Sequence, residues 1–342
     1  MDDRIKIVRT DAELETPGID AALRKRGDLI LLPDGASEDE VIAATRDAVL
    51  LLMCYTSITA RVIAEAKQLK GIVKYGVGID AIDIEAAKAR KIPVVNVPEY
   101  AEETVAEGAF ALLIALAKKL RPLQKAMNEH GWAWPSAQWL GADISGKTLG
   151  IVGFGRIGQS MARMAGKGFN ARVLAYNPDM PEEKMRGAGV EKCDDLHDML
   201  AQSDFVSIHA TLSPATHHLI DADALSVMKP SAILINSARG ALVDEAALVR
   251  ALQSGQIAGA GLDVFSREPL AKTGHPLSPL FNMDNVILTP HLTFYTQEAM
   301  QRLEDDTLAR CDEILLGKPV LVKSRDPRLT GQKHGVAFPS QG

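Results

Sequence analysis

The sequence predicts an α/β protein of two lobes, each a doubly wound parallel sheet, with a cleft between them. Three observations predict it. Short β-rich apolar runs alternate with helical patterns from one end of the chain to the other, the mark of parallel βαβ units. The alternation occurs in two series, separated by a long apolar-rich helical stretch. The second series opens on "TLGIVGFGRIGQSMARMA", where a glycine-rich turn directly follows a strand and begins a helix. A length of 342 residues suits two domains that each bury a core.

In the first series, strands are expected at 5–8, 29–32, 48–53, 72–74 and 94–96, with helices at 60–67 and 84–91 between the later ones. An apolar-rich helix is expected from 102 to 128, interrupted near Pro122 because an interior proline removes a helix hydrogen bond. A loop holding Trp132, Trp134 and Trp139 follows. The second series places strands at 148–152, 172–175, 205–208, 232–236, 259–264 and 286–288. The last of these ends in "NVILTPH", where Pro290 stops the ladder for want of an N–H. A final helix is expected at 298–316, then a polar tail. The mid-chain position of the second series implies an inserted nucleotide-binding domain, 101–292, within a discontinuous first domain, 1–100 and 293–342.

Composition excludes several function classes. The chain is 46% hydrophobic and 24% charged, with a mean hydropathy of +0.00, as in a soluble globular protein. A net charge of −6 argues against a nucleic-acid partner or an anionic membrane surface. The longest uninterrupted apolar stretch, 109–117, is far too short to span a bilayer. The opening "MDDRIKIVRT" is acidic before it is apolar, unlike a secretory signal. Cys54, Cys193 and Cys311 give neither a disulfide framework nor a Cys-x-x-Cys motif, so a reducing cytoplasm is expected. The adjacent His217 and His218 do not make a metal site, and no metal is expected.

Gly153, Gly155 and Gly158 form the G-x-G-x-x-G of a Rossmann dinucleotide site, in the strand–turn–helix context that the motif requires. Gly153 permits the tight turn, Gly155 lets backbone approach a pyrophosphate, and Gly158 lets helix and strand pack closely. N–H groups at the helix start favour the anion. The ribose-binding residue is expected about 20 positions on, and "VLAYNPDM" puts Asn177 there. An amide can bond a ribose hydroxyl but lacks the charge that repels a 2′-phosphate. With Asp179 near and no arginine beside it, NAD is favoured and NADP is possible.

Three further residues follow strand ends of the same sheet. Arg239, in "NSARG", suits a bidentate grip on a carboxylate. Glu268 precedes Pro269, and His291 follows Pro290. A carboxylate beside an imidazole stabilises imidazolium. Together they make a proton donor beside an anchored anion, with His291 as general acid. Taken singly, each also reads as a surface salt bridge, an exposed turn or a bystander histidine.

With these motifs in order, the chain resembles the D-isomer-specific 2-hydroxyacid dehydrogenase family. The resemblance rests on "VKYGVGIDAIDIEAAKARKIPVVNVPEYAEETVAEGAFALLIALAKKL", the glycine loop, "NSARGALVDEAALVRALQSGQIAGAGLDVFSREPL" and "NVILTPH". It implies that Arg239 binds and polarises a 2-oxo acid, that Glu268 orients the acid–base and that His291 passes the proton. It implies that the Val77–Gly78 backbone binds the substrate carboxylate, and that Val105, Arg156, Ile157, Thr216, Ala238 and Asp263 line the cofactor. It also implies a flavodoxin-like substrate domain and a homodimer. "NVPEYAEETVAE" and "PHLTFYTQEA" look closest to the branch of the C-terminal binding protein co-repressors and their bacterial dehydrogenase relatives. That keeps open an alternative, an NAD(H)-sensing binding protein with weak turnover. Phosphoglycerate dehydrogenases are less expected, since they often carry a C-terminal regulatory domain and this chain ends soon after its last helix. A formate dehydrogenase would carry glutamine where Glu268 stands. Thr56, Ser57, Tyr75, Tyr100, Trp134, Phe294 and Tyr295 are candidates for the substrate side-chain pocket.

Overall fold

Two compact units make up the chain in a computed structural model that describes residues 4–339. One unit takes the chain up to Ala101 and resumes at Thr296; the other is Glu102–Tyr295.

The first unit holds β1 (Lys6–Arg9), α1 (Pro17–Arg26), β2 (Asp28–Leu31), α2 (Glu38–Thr45), β3 (Leu50–Met53), α3 (Ala60–Glu65), β4 (Gly71–Lys74), α4 (Ile84–Ala89) and β5 (Val94–Asn96). Its five parallel strands lie in the order β2-β1-β3-β4-β5. Strands β3, β4 and β5 are buried at every position, which is why their sequences run apolar instead of alternating.

The second unit begins with α5 (Glu102–Ala117) and α6 (Leu120–His130). It continues with β6 (Thr148–Val152), α7 (Arg156–Arg163), β7 (Arg172–Tyr176), α8 (Glu182–Gly187), β8 (Glu191–Lys192), α9 (Leu196–Gln202) and β9 (Phe205–Ile208). Then come α10 (Ala222–Val227), β10 (Ile233–Asn236), α11 (Glu245–Gln253), β11 (Gly259–Leu262) and β12 (Val286–Leu288). The strand order is β12-β11-β10-β9-β6-β7-β8, all parallel. The order reverses beside β6, so the glycine turn after β6 stands at the switch point where open α/β sheets bind ligands. Two apolar layers, one on each face, close this core.

The chain returns to the first unit with α12 (Gln297–Leu315), β13 (Val320–Leu321), α13 (Pro327–Thr330) and β14 (Val336–Ala337). Arg26 of α1 grips Asp312 of α12 through one guanidinium edge, Nε and Nη2 donating at 2.5 and 2.7 Å.

Two expectations need correction. The long helix is interrupted near Pro122 as expected, but the break itself is at Lys119, which takes a left-handed φ of 52°. Pro122 lies in the first turn of α6, where no intrahelical N–H is needed. The tail is not merely polar surface: β14 pairs with β13, and the buried Gln332 bonds both the N–H and the C=O of Val94 on the edge strand β5. Polarity was the wrong guide there, because the amide supplies the missing ladder partners of a strand edge.

Candidate active site

In the second unit, β10, β11 and β12 are neighbours in register, with Asn236 opposite Leu262 and Leu262 opposite Leu288. The loops that follow them therefore leave from one edge. Arg239, Glu268 and His291 stand on those three loops.

Asn236 fixes the first loop, accepting from Ala238 N–H at 3.0 Å and donating to the Arg239 carbonyl at 2.9 Å. A Cβ on Gly240 would lie 2.0 Å from the Phe265 carbonyl carbon and 2.1 Å from Ser266 N. Only glycine lets the loop after β11 lie against the loop after β10. In that second loop the Phe265 N–H donates to Glu268 Oε1 at 2.9 Å, while Glu268 Oε2 meets His291 Nδ1 at 2.9 Å. The Glu268–Pro269 bond is cis.

His291 has a φ of 58°, a left-handed conformation that few non-glycine residues adopt. Asp263 holds it there. That fully buried carboxylate accepts from the N–H groups of Leu292 and Thr293, both at 3.0 Å, and from the hydroxyls of Thr289 at 2.5 Å and Thr293 at 2.7 Å. Thr293 in turn rests on Gly108 of α5, where a Cβ would come within 2.7 Å of it.

Burial pushes the Glu268 carboxyl up, but the His291 hydrogen bond and charge, the Phe265 N–H and the Arg239 charge outweigh it. The group ends below the usual carboxylate range and is ionised near neutral pH. His209, at the end of β9, behaves oppositely: burial alone pushes it down to about 4, so it is neutral there, with Nε2 2.8 Å from Ser207 Oγ.

The turn after β6 fits a dinucleotide. Gly153 has a φ of 93°, and a Cβ there would lie 2.5 Å from Ala210 N. A Cβ on Gly158 would lie 2.3 Å from the Gly153 carbonyl oxygen. At Gly155 a Cβ would meet nothing within 4 Å, so the space over the α7 N-terminus is open. Gly155 N-caps α7 with no side-chain bond, which leaves the first-turn N–H groups unclaimed by side chains. Arg156 bonds Glu102 at 2.7 Å, and Glu103 accepts from Ser160 at 2.8 Å and pairs with Arg163. Those contacts stitch α7 to α5.

Among the other expected cofactor residues, Val105, Ile157 and Ala238 are half-buried, and Asn177 directly follows β7, also half-buried. Two more of these residues make bonds within the protein. The Thr216 hydroxyl accepts from Ser213 N–H at 2.8 Å and donates to the Thr211 carbonyl at 2.7 Å, closing its own turn. Asp263 gives both oxygens to the His291 loop. Sequence reasoning gave these two the cofactor, and it missed Asn236, Gly240 and Gly108. An asparagine closing a strand just before the arginine loop was the available signal for Asn236.

In the first unit, Val77 and Gly78 follow β4. Asn96 donates to the Val77 carbonyl at 2.6 Å, and the Gly76 carbonyl accepts from Val97 N–H at 3.0 Å. Among the described residues, the N–H groups of Val77 and Gly78 meet no acceptor. Tyr75 is not pocket-lining but core, fully buried, with its hydroxyl donating to the Thr10 carbonyl at 2.6 Å. The Thr56 hydroxyl is bound to Asp11 at 2.8 Å.

Residues 110–293 match the model of the D-isomer specific 2-hydroxyacid dehydrogenase NAD binding domain. A glyoxylate reductase of Korarchaeum cryptofilum is 41% identical over 79% of this chain and 80% of its own length. The chain belongs to the D-isomer specific 2-hydroxyacid dehydrogenase family. A D-3-phosphoglycerate dehydrogenase of Mycobacterium bovis, from the class expected to be remoter, is also 41% identical, over 80% of this chain. The chain spans 50% of that relative's length. Among solved structures, a D-lactate dehydrogenase from Aquifex aeolicus complexed with NAD and lactic acid superposes with a TM-score of 0.81. It is 29% identical and covers 95% of this chain and 98% of its own. Among the described residues, no helix is long and apolar enough to cross a membrane, and no group of three or more His, Cys, Asp or Glu is placed to hold a metal ion.

Proposed function

We propose that this protein interconverts a 2-oxo acid and a D-2-hydroxy acid with a nicotinamide dinucleotide, NAD in preference to NADP. The observation that carries the reading is the Glu268–His291 bond on one strand edge, with the Arg239 charge acting on the same carboxylate. When bound at the Gly153–Gly158 turn, the cofactor supplies two-electron hydride chemistry. The α7 N-terminus and Gly155 hold its pyrophosphate, and Asn177 bonds its ribose.

Arg239 grips the substrate's carboxylate or carbonyl oxygen and favours negative charge there. Glu268 engages Nδ1 of His291, so Nε2 is the nitrogen whose proton reaches the carbonyl oxygen during reduction and returns during oxidation. The Asp263 bonds keep the ring in place through both directions. On the first unit, the Val77 and Gly78 N–H groups are assigned to the substrate carboxylate, because neither has an internal acceptor. The exposed Leu120, Trp132, Trp134 and Leu140, around α6, are assigned to pairing with a second copy of the chain.

A panel of 2-oxo acids (glyoxylate, hydroxypyruvate, pyruvate, phenylpyruvate and branched-chain acids) read against NADH and NADPH tests the reading. Consumption of reduced cofactor with at least one acid is expected. Cofactor binding with no turnover of any panel member would overturn it in favour of a nucleotide-sensing protein.

A further inference from the structure

We propose that the first unit carries a second ligand site, a cationic pocket that binds a small multivalent oxyanion of the phosphate type. The pocket is a cavity of about 240 Å³ lined by Lys88, Lys91, Ile92, Gly331, Gln332, Lys333 and His334. Its two walls come from distant parts of the chain: the end of α4 with the turn after it, and the turn between α13 and β14.

Charge is the first argument. Three lysines and a histidine converge on this cavity in a chain whose net charge is −6. The acidic groups near them are Glu85, which pairs with Lys88 at 2.8 Å from an exposed position, and Asp326, whose carboxyl is held below the usual range by Arg328 first and Lys88 last. Asp326 is already taken by Arg328 at 2.7 Å. Among the described residues, Lys91, Lys333 and His334 have no carboxylate within ion-pair distance. Like charges brought together without counter-charge repel, and an anion between them removes the repulsion.

Construction is the second argument. Lys91 is held at a φ of 57°, a strained conformation for a lysine, by N–H donation to the Lys88 carbonyl at 2.9 Å. Gly331 lies beside the Lys88 ammonium, 3.4 Å from where its Cβ would be, and so joins the two walls. Buried Gln332 ties the other wall to β5 through Val94, and buried Ile92 supplies an apolar lining. The walls are thus fixed by hydrogen bonds, while Lys91 and Lys333, among the described residues, have no carboxylate partner and are left to a ligand. The cavity is smaller than the ~300–1,000 Å³ of sites for drug-sized ligands, which limits the occupant to a few heavy atoms bearing two or more charges. Lysine point charges suit a phosphoryl group, free or carried on a small metabolite.

The site is independent of the proposed dehydrogenase chemistry, and its test does not use turnover. The probe is inorganic pyrophosphate, titrated calorimetrically into the full chain at constant ionic strength, with wild type compared to Lys91→Ala/Lys333→Ala. Saturable binding is expected in wild type, weakened by at least ~10-fold in the double variant. Thermal unfolding in pyrophosphate against chloride should show a rise in Tm for wild type that shrinks in the variant, since ligand bound to the native state stabilises it. His334→Ala, a single exposed change, gives a second reading if the double variant folds poorly, and should weaken binding alone. Inorganic phosphate and glycerol 3-phosphate as further titrants separate a free anion from a phosphorylated metabolite. No saturable binding by wild type, or equal binding by wild type and variants, would overturn the proposal.

Discussion

Two clusters at strand ends, one in each unit, treat their polar groups in opposite ways. In the first unit, the side chains around the end of β1 satisfy one another. Asp11, buried at a φ of 61°, accepts from the N–H groups of Cys54, Tyr55 and Thr56 and from the hydroxyls of Thr10 and Thr56. Arg9 pairs with Asp20 through two bonds, at 2.7 and 3.1 Å, and its remaining donors reach Tyr75 and two carbonyls. In the second unit an ionised carboxylate and an imidazole share one bond on the strand edge, and a helix N-terminus lies under an open glycine. A closed network stiffens a sheet; groups held in place with capacity left for a ligand permit chemistry. The difference assigns stability to the Asp11–Arg9 cluster and, under the proposed function, reactivity to the Glu268–His291 pair.

The largest effect that sharpens this contrast is expected at His291. His291→Ala should lower kcat by ~10²–10⁴-fold in both directions, the usual contribution of general acid–base catalysis, with little change in cofactor affinity. A loss under tenfold would move the proton chemistry elsewhere. Arg239→Lys keeps the charge and loses the fork, so kcat/KM for the 2-oxo acid should fall ~10–100-fold while NADH binding holds. The reverse pattern, normal substrate KM with weak NADH, would assign Arg239 to the cofactor. Asn177→Asp should widen the preference for NADH over NADPH by ~10-fold in the ratio of kcat/KM values, about 1.4 kcal/mol. An unchanged ratio would remove Asn177 from the ribose site. The smallest effect is the control from the other sheet. Tyr75→Phe should cost about 1 kcal/mol in urea unfolding through its lost bonds to Thr10 and Arg9, and leave kcat alone. A large fall in kcat there would break the contrast.

Much of this was legible in the sequence because its signals are local. Strand position, the G-x-G-x-x-G spacing and the placement of Arg239, Glu268 and His291 after strand ends all follow from runs of a few residues. The internal partners of Thr216 and Asp263 were not, because a side chain's partners depend on how its loop folds back. Asp263 stands at a strand end and reads as a ligand-facing carboxylate, until four donors from 289–293 are seen to surround it. Tyr75 reads as a pocket aromatic for the same reason; its partners Arg9 and Thr10 lie at the end of β1, 66 and 65 residues earlier. The tail's attachment was hidden because Gln332 acts through its amide on β5, more than 200 residues earlier.

The central claim is that the ionised Glu268 acts on His291 through the bond at Nδ1. Because its carboxyl is held below the usual range, the stabilisation it gives is present above the ordinary carboxylate pKa and is lost as pH falls through the depressed value. Through neutral pH it therefore stays negative beside the ring. The most direct test is kcat/KM against pH in the reductive direction for wild type and Glu268→Gln. The glutamine keeps a hydrogen-bonding group and removes the charge, so the profile should no longer superimpose on that of wild type while the protein remains folded. Superimposable profiles would contradict the account.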